Sequence, residues 1–484
     1  MAKNLSCFGA FVLVAAAALG LLLVLDPLAA HRAYVVFTVM WFPVLLLVVV
    51  AGLGLLAGSV ANHHGFSTAG VIGGAALFIG VLLLRGWNAS TFYADLPQEL
   101  EDQASFSERA PYTVADRSAD SATSGINGDR RSTKYLAEAN TYTPPVTGRG
   151  FITPGYLAVI EQEFDLDGRA TTSQCRFSED AQRWVGGLLH HSLERAVARK
   201  SRTAMFSASD AWTYCEDDKP YVVMPLTRYS GILNLHHVPA GVAIYDGHTG
   251  EVEIREDVKS GELPGPVISQ SYAERIEAAM GYRDRTGFIS VMLGQTGFET
   301  AGGEEGDPNS ENPGNHQLAY VGGGMAHVTP LTRVSTSTAV ERLLTVDAGE
   351  VAAGEHPTVS LRVLDPARES NAVMEQNIRS QFDQVNWASG LTVQEITPGP
   401  DGAWVASIGQ RTNVAYRVTL DTEDQWHIED LRTTNVIGKD EDTESEPRRP
   451  AGRGLPEVDE LTDEQLADLG QLVIEELSRR GTRR

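Results

Sequence analysis

Hydrophobic positions divide the chain into an apolar start, a polar stretch and a long region of alternating and helical periodicity. The start holds three continuous runs: "FGAFVLVAAAALGLLLVL" over 8–25, "AYVVFTVMWFPVLLLVVVAGLGLLA" over 33–57 and "TAGVIGGAALFIGVLLL" over 68–84. At about 1.5 Å per residue, runs of roughly 17 to 25 residues match about 30 Å of bilayer hydrocarbon. The pattern therefore predicts three transmembrane helices within a region 1–87. A secretion signal has no further spans behind it, so the first run reads as an anchor and not a removable leader. Pro43 is tolerable inside a span. Gly70, Gly73, Gly74, Ala75 and Ala76 let the third helix approach a neighbour closely, or are ordinary small-residue filler. Trp87, Phe92 and Tyr93 follow as interfacial aromatics do.

Residues 88–150 are polar, rich in Ser, Ala, Asp, Gly and Thr, and carry no sustained apolar period, which predicts a flexible linker. Order resumes in a first module over 151–260. Tyr156, Ala158 and Ile160 alternate as in a strand, and a helix is expected from Ser178, with Trp184, Val185, Leu188, Leu189 and Leu193 on one face. Strands "PYVVMPLTRY" and "GVAIYDGHTGEVEI" follow, the second a hairpin turning at Asp246-Gly247 and Gly250. A helical segment and an acidic loop fill 261–317. A second module over 318–436 contains a helix with Asp365 as cap and Pro366 in its first turn, and then three strands. The class is α+β: helices packed on antiparallel sheets, in two or more modules behind the membrane region. Residues 437–457 read as a disordered linker and 458–484 as an amphipathic helix. Thr462 and Gln465 open that helix as a capping box. Its stripe Leu466, Leu469, Val473 and Leu477 needs a partner surface, on this chain or another.

One phrase occurs twice. "VVMPLTRYSG" starts at Val222 and "HVTPLTRVST" at His327, and each is followed by an apolar strand that ends in Asp, a Gly-containing turn and Glu-Val. The order predicts a duplicated module in which Pro-Leu-Thr-Arg marks a strand exit, since proline removes a ladder donor. The hairpin "IYDGHTGEVEI" resembles the strand–turn–strand ending of small bacterial PepSY-type modules over about ten residues. That resemblance implies a helix on an antiparallel sheet and transfers no catalytic residue.

Charge narrows the partners. Residues 1–85 carry three cations and one acid, so of the formal −24 the remaining chain holds −26. Such a surface repels phosphates and excludes a nucleic-acid face. The expected partners are the lipid bilayer and other proteins or further copies of the chain. Lys3 favours a cytoplasmic start, which puts the soluble part outside after three spans, whereas Arg32 and Arg85 argue the other way. Cys175 and Cys215 break the balance: two cysteines 40 residues apart in one module fit a disulfide in an oxidising compartment, against the alternative of two separate buried thiols. The expectation is an integral membrane protein with an extracytoplasmic C-terminal region.

No P-loop, HExxH, GxSxG or dinucleotide fingerprint occurs. His-His pairs at 63–64, 190–191 and 236–237 point apart and chelate poorly, and no metal or cofactor is expected. Acidic groups at Glu163, Asp165 and Asp167 miss the calcium-loop spacing. Arg228 and Arg333, one in each repeat, either clamp an anion or pair with a neighbouring acid. These readings point to a non-enzymatic binding or scaffold protein of a bacterial envelope or transport assembly. The alternative is a membrane-bound hydrolase, which needs His190 or His236 to meet Glu163 or Asp165 in one cleft.

Overall fold

The computed structural model describes residues 26–61, 64–101, 105–150, 155–166, 168–283, 296–301, 317–334, 339–432 and 435–437. Two compact units divide the chain at Gly438, and the second, Lys439–Arg484, lies outside the described residues together with the stripe Leu466, Leu469, Val473 and Leu477.

Helix α1 (Pro27–Ala61) and helix α2 (His64–Thr91) contain the second and third apolar runs. Two helices long and apolar enough to cross a bilayer are thus described, not three, and the run at 8–25 lies outside the described residues. The small residues set how closely the pair packs. A Cβ on Gly54 would lie 2.2 Å from the Gly70 Cα, and one on Gly74 would lie 3.0 Å from the Leu47 carbonyl. The helices run as a hairpin whose open end meets the rest of the chain: Asp26 pairs with Arg195 at 3.0 Å, and Arg85 donates to the Ile232 carbonyl at 2.5 Å.

Beyond β1 (Gln98–Leu100) the supposed linker is folded, with helix α3 (Tyr112–Thr123) and strands β2 (Asp129–Arg130), β3 (Lys134–Leu136), β4 (Thr141–Thr143) and β5 (Pro145–Thr147). These pair around β6 (Tyr156–Phe164), which also takes β7 (Ala170–Arg176) on its flank. Val114, Ala115, Leu136 and Tyr142 are buried there. The content that overturns the linker reading is aromatic. Tyr112, Tyr135 and Tyr142 supply the apolar area that a solvated tether lacks.

The helix expected from Ser178 shrinks to α4 (Leu193–Lys200), preceded by two 3-10 turns at Glu179–Ala181 and Leu189–His191. Gly186 at φ +93° and Leu189 at φ +52° break any continuous helix. Ser192 takes the capping role: its hydroxyl accepts from the Arg195 backbone N–H at 3.2 Å.

Strands β8 (Trp212–Glu216), β9 (Lys219–Ser230), β10 (His236–Asp246) and β11 (Val252–Arg255) form an antiparallel meander. Its first turn places Asp217 and Asp218 at φ +50° and +61°, the left-handed pair that a two-residue hairpin requires. In the predicted hairpin turn the Asp246 carboxylate accepts from the His248 and Thr249 backbone at 2.7 and 3.0 Å. The Cys175–Cys215 disulfide joins β7 to β8, and so sheet to sheet.

After β12 (Asp257–Val258) comes α5 (Gln270–Ala279), and then a sheet of β13 (Phe298–Thr300), β14 (Gln317–Val321), β15 (Gly324–Arg333), β16 (Val340–Asp347) and β18 (Val359–Arg368), with β1 parallel to β18 on its edge. Strand β17 (Val351–Ala352) pairs with β12. Asp365 and Pro366, expected to open a helix, lie inside β18 across a cis peptide. Helix α6 (Asn371–Gln381) is capped by Ser370, whose hydroxyl accepts from Val373 N–H at 3.4 Å. A last meander of β19 (Thr392–Pro398), β20 (Trp404–Gln410), β21 (Asn413–Leu420), β22 (Trp426–Asp430) and β23 (Asn435–Ile437) follows. The mixed α+β class stands. One buried cluster runs from Tyr93 through Leu136, Trp212, Tyr272 and Leu361 to Val414, so segments read as separate modules share a core.

Candidate ligand cavity

Segments from four of the sheets meet around a cavity of about 310 Å³. Arg109 lies on its wall just ahead of α3, and Glu395 reaches the same wall from β19. The guanidinium meets the carboxylate through two bonds, Nη2 to Oε1 at 2.7 Å and Nη1 to Oε2 at 3.1 Å, and Arg109 Nη1 also donates to the Tyr142 hydroxyl at 3.0 Å. The Tyr112 backbone N–H adds a third bond to Glu395 at 3.1 Å, and the Arg109 guanidinium covers the Tyr135 ring at 5.2 Å. Burial, the largest single influence, would lower the Arg109 pKa, but Glu395 with Tyr142 and Tyr135 together outweighs it and holds the group well above its ordinary value. Burial pushes the Tyr112 and Tyr135 phenols up to about 12, so both stay protonated at neutral pH.

The lining also includes Lys134, Asp210, Trp212 and His327. The Asp210 carboxylate accepts from the Ser271 backbone N–H at 3.2 Å and from its hydroxyl. Trp212 Nε1 donates to the Pro266 carbonyl at 2.8 Å. His327 Nε2 lies 2.8 Å from the Ile268 carbonyl, which can only accept, so that nitrogen carries the hydrogen. Lys134 differs from its neighbours. Its ammonium donates to the Ser209 carbonyl at 2.8 Å, forms no ion pair among the described residues, and has its pKa lowered by burial against the weaker attraction of Asp210 and Glu274. An ammonium has three donors, and one bond to a carbonyl leaves capacity for a ligand. The arrangement suits an anionic group held at Lys134 with an apolar body against Tyr112, Tyr135 and Trp212.

A wider groove of about 670 Å³ lies where α1 meets β9 and α5, lined among others by His31, Arg32, Phe206, His237 and Arg275. The His31 ring stacks on Phe206 at 5.2 Å.

The residues singled out in the sequence lie elsewhere. Arg333 Nε donates to Glu341 Oε2 at 2.9 Å and covers the Phe298 ring at 5.2 Å, which is the neighbouring-acid arrangement. Arg228, on β9, packs its guanidinium against Gly354, where a Cβ would lie 2.7 Å from Nη2. Both Pro-Leu-Thr-Arg phrases sit inside paired strands: Pro225 opposes Val242, and Pro330 opposes Leu343. His190 packs on His191 at 3.8 Å, while His236 stacks on Phe92 at 3.9 Å. Among the described residues these histidines share no hydrogen bond, ion pair or described cavity with Glu163 or Asp165, and no cluster of three metal-ligating side chains occurs. Sequence reading missed Arg109, Lys134 and Glu395. The one local signal was the density of tyrosines around the first two, in a stretch otherwise polar enough to pass for a tether. Comparison with protein-family models, with curated proteins and with solved structures finds no match for this chain.

Proposed function

We propose that this chain is a membrane-anchored, non-enzymatic binding protein of a bacterial envelope or transport assembly, and that it holds a small organic anion in the cavity beside Lys134. The observation that carries this reading is a partly open, aromatic-walled cavity whose acids are hydrogen-bonded within the protein while its ammonium keeps donors to spare. Its volume, about 310 Å³, stands at the small end of the range of roughly 300–1,000 Å³ that ligand pockets span. The extracytoplasmic placement rests on the Cys175–Cys215 bond, since such bonds persist in oxidising compartments. A duplicated module gains support from chain order. Helix α4 precedes β8–β11 and α5 precedes β13–β17, and in both the strand after the repeated phrase ends in an aspartate that caps its turn, Asp246 and Asp347. The hydrolase alternative gains no geometric support.

The test uses 2-naphthoate as an aromatic carboxylate probe, titrated calorimetrically into the full-length protein in nanodiscs. Saturable binding at one site is expected, weakened about tenfold, or about 1.4 kcal/mol, by Lys134→Met. The exposed Lys219→Met should leave it unchanged. Equal loss in both variants, or affinity indifferent to Lys134, overturns the assignment.

A further inference from the structure

The loop between β9 and β10 is held from behind and bare in front. Gly231, at φ +85°, makes the turn so tight that a Cβ there would lie 2.1 Å from the Asn234 carbonyl. Two side chains of α2 fix the backbone that follows: Arg85 Nη2 donates to the Ile232 carbonyl at 2.5 Å, and Asn88 Nδ2 to the Leu233 carbonyl at 3.4 Å. The side chains of Ile232 and Leu233 take no part in this and are 53% and 48% exposed. Two adjacent large aliphatic groups at the tip of a hairpin, oriented through their backbone, present an apolar spot suited to a nonpolar medium.

Helix lengths locate that medium. The apolar stretch of α1, Pro27–Ala57, has 31 residues and rises about 46 Å, well beyond about 30 Å of hydrocarbon. Its first turns are flanked by the soluble part, with Asp26 paired to Arg195 and His31 stacked on Phe206. Arg85 also donates to the Val39 carbonyl, which puts Val39, Arg85 and the loop tip at one level. Below that level residues 39–57 of α1 rise about 28 Å and residues 68–84 of α2 about 26 Å, both close to the bilayer thickness. A buried arginine bonded to backbone carbonyls is the kind of group that sits at such a boundary.

We propose that the tip Gly231–Leu235 is a third membrane contact, with Ile232 and Leu233 entering the headgroup–acyl boundary of the leaflet where α1 and α2 emerge. The proposal rests on α1 and α2 crossing that bilayer. Its consequence is that the soluble part is pinned to the membrane through β9 and β10 and does not swing from the helices.

The experiment places one NBD fluorophore at a time on the full-length Cys7→Ser protein in phosphatidylcholine nanodiscs, at Asn234→Cys, at the lipid-facing Leu83→Cys of α2 or at the exposed Glu423→Cys. Quenching by lipids doxyl-labelled near the glycerol is then compared. Quenching at Asn234 should exceed that at Glu423 by at least about threefold, and I232D/L233D in the same protein should abolish the excess, since interfacial insertion needs the apolar side chains. If Leu83 is quenched and Asn234 is not, the helices cross the bilayer and the tip does not dip, which overturns the proposal alone. If neither is quenched, the anchoring reading falls and the proposal with it. Cross-linking between copies at Asn234→Cys without quenching assigns the tip to a protein interface and overturns it as well.

Discussion

Arg109 and Glu395 are 286 residues apart, and no pattern local to either announces their meeting. A charged residue's sequence neighbours fix its exposure only when the fold is already known. Here the side chains are 10% and 6% exposed, which makes the pair interdependent. Glu395→Gln leaves a buried guanidinium with one neutral acceptor where it had a bidentate carboxylate, and should cost about 3–5 kcal/mol of stability. Chemical denaturation of the purified protein reads this directly, and the paired change Arg109→Met with Glu395→Leu should recover most of the loss. A single-variant loss below about 1 kcal/mol would mean that water reaches the pair. The ammonium of Lys134 was equally hidden in the sequence, because its meaning comes from Trp212 on another sheet and from Asp210 in the turn that precedes it.

Elements were legible wherever a period and a turn coincided. Strand β6 and the β10–β11 hairpin follow their alternation and their Asp-Gly turn, and both helices α1 and α2 follow their apolar length. Failures came where one residue type serves two ends. Ser178 and Asp365 each head a plausible helix, yet the caps are Ser192 and Ser370, because Gly186 and the strand pairing of β18 with β16 claim the intervening backbone. The repeated phrase failed differently. Proline within a strand reads as an exit, but at Pro225 the chain continues paired to Ser230, with a bulge opposite between Pro239 and Val242. Element scale is also where the disulfide acts, since it closes a 40-residue separation between β7 and β8. Cys215→Ser should lower stability by about 2–4 kcal/mol, and dithiothreitol should lower the wild-type melting temperature while leaving the variant unmoved. A change within about 0.5 kcal/mol would show that the two sheets hold together without the bond.

At the scale of the whole molecule the apolar α1–α2 hairpin and the sheets meet in a seam of histidines. Phe92, just past α2, stacks on His236 at 3.9 Å, and the Tyr93 hydroxyl accepts from the His237 N–H at 2.9 Å while bonding its carbonyl at 3.1 Å. His356 joins from beyond β17, with Nδ1 2.5 Å from the Tyr272 hydroxyl. Burial, with the positive charge of Arg275 and the neighbouring His236, lowers His237 from 6.5 to about 4, and burial lowers His356 in the same direction. A histidine whose folded pKa lies below its unfolded value stabilises the fold above the unfolded pKa. For His237 that contribution is complete above about pH 6.5 and is lost as pH falls toward about 4, with a limiting slope near 1.4 kcal/mol per pH unit. The loss falls on the joint between the α1–α2 hairpin and the sheets, so acid should loosen that joint before the sheets themselves melt. Thermal unfolding in nanodiscs between pH 8 and pH 4 should show wild type declining more steeply than His237→Phe, which keeps the ring against Tyr229 and removes the proton site. Carboxylates and the other histidines titrate alike in both proteins, so the difference between the curves isolates His237. Parallel curves over that range would place the uncharged His237 outside the acid response.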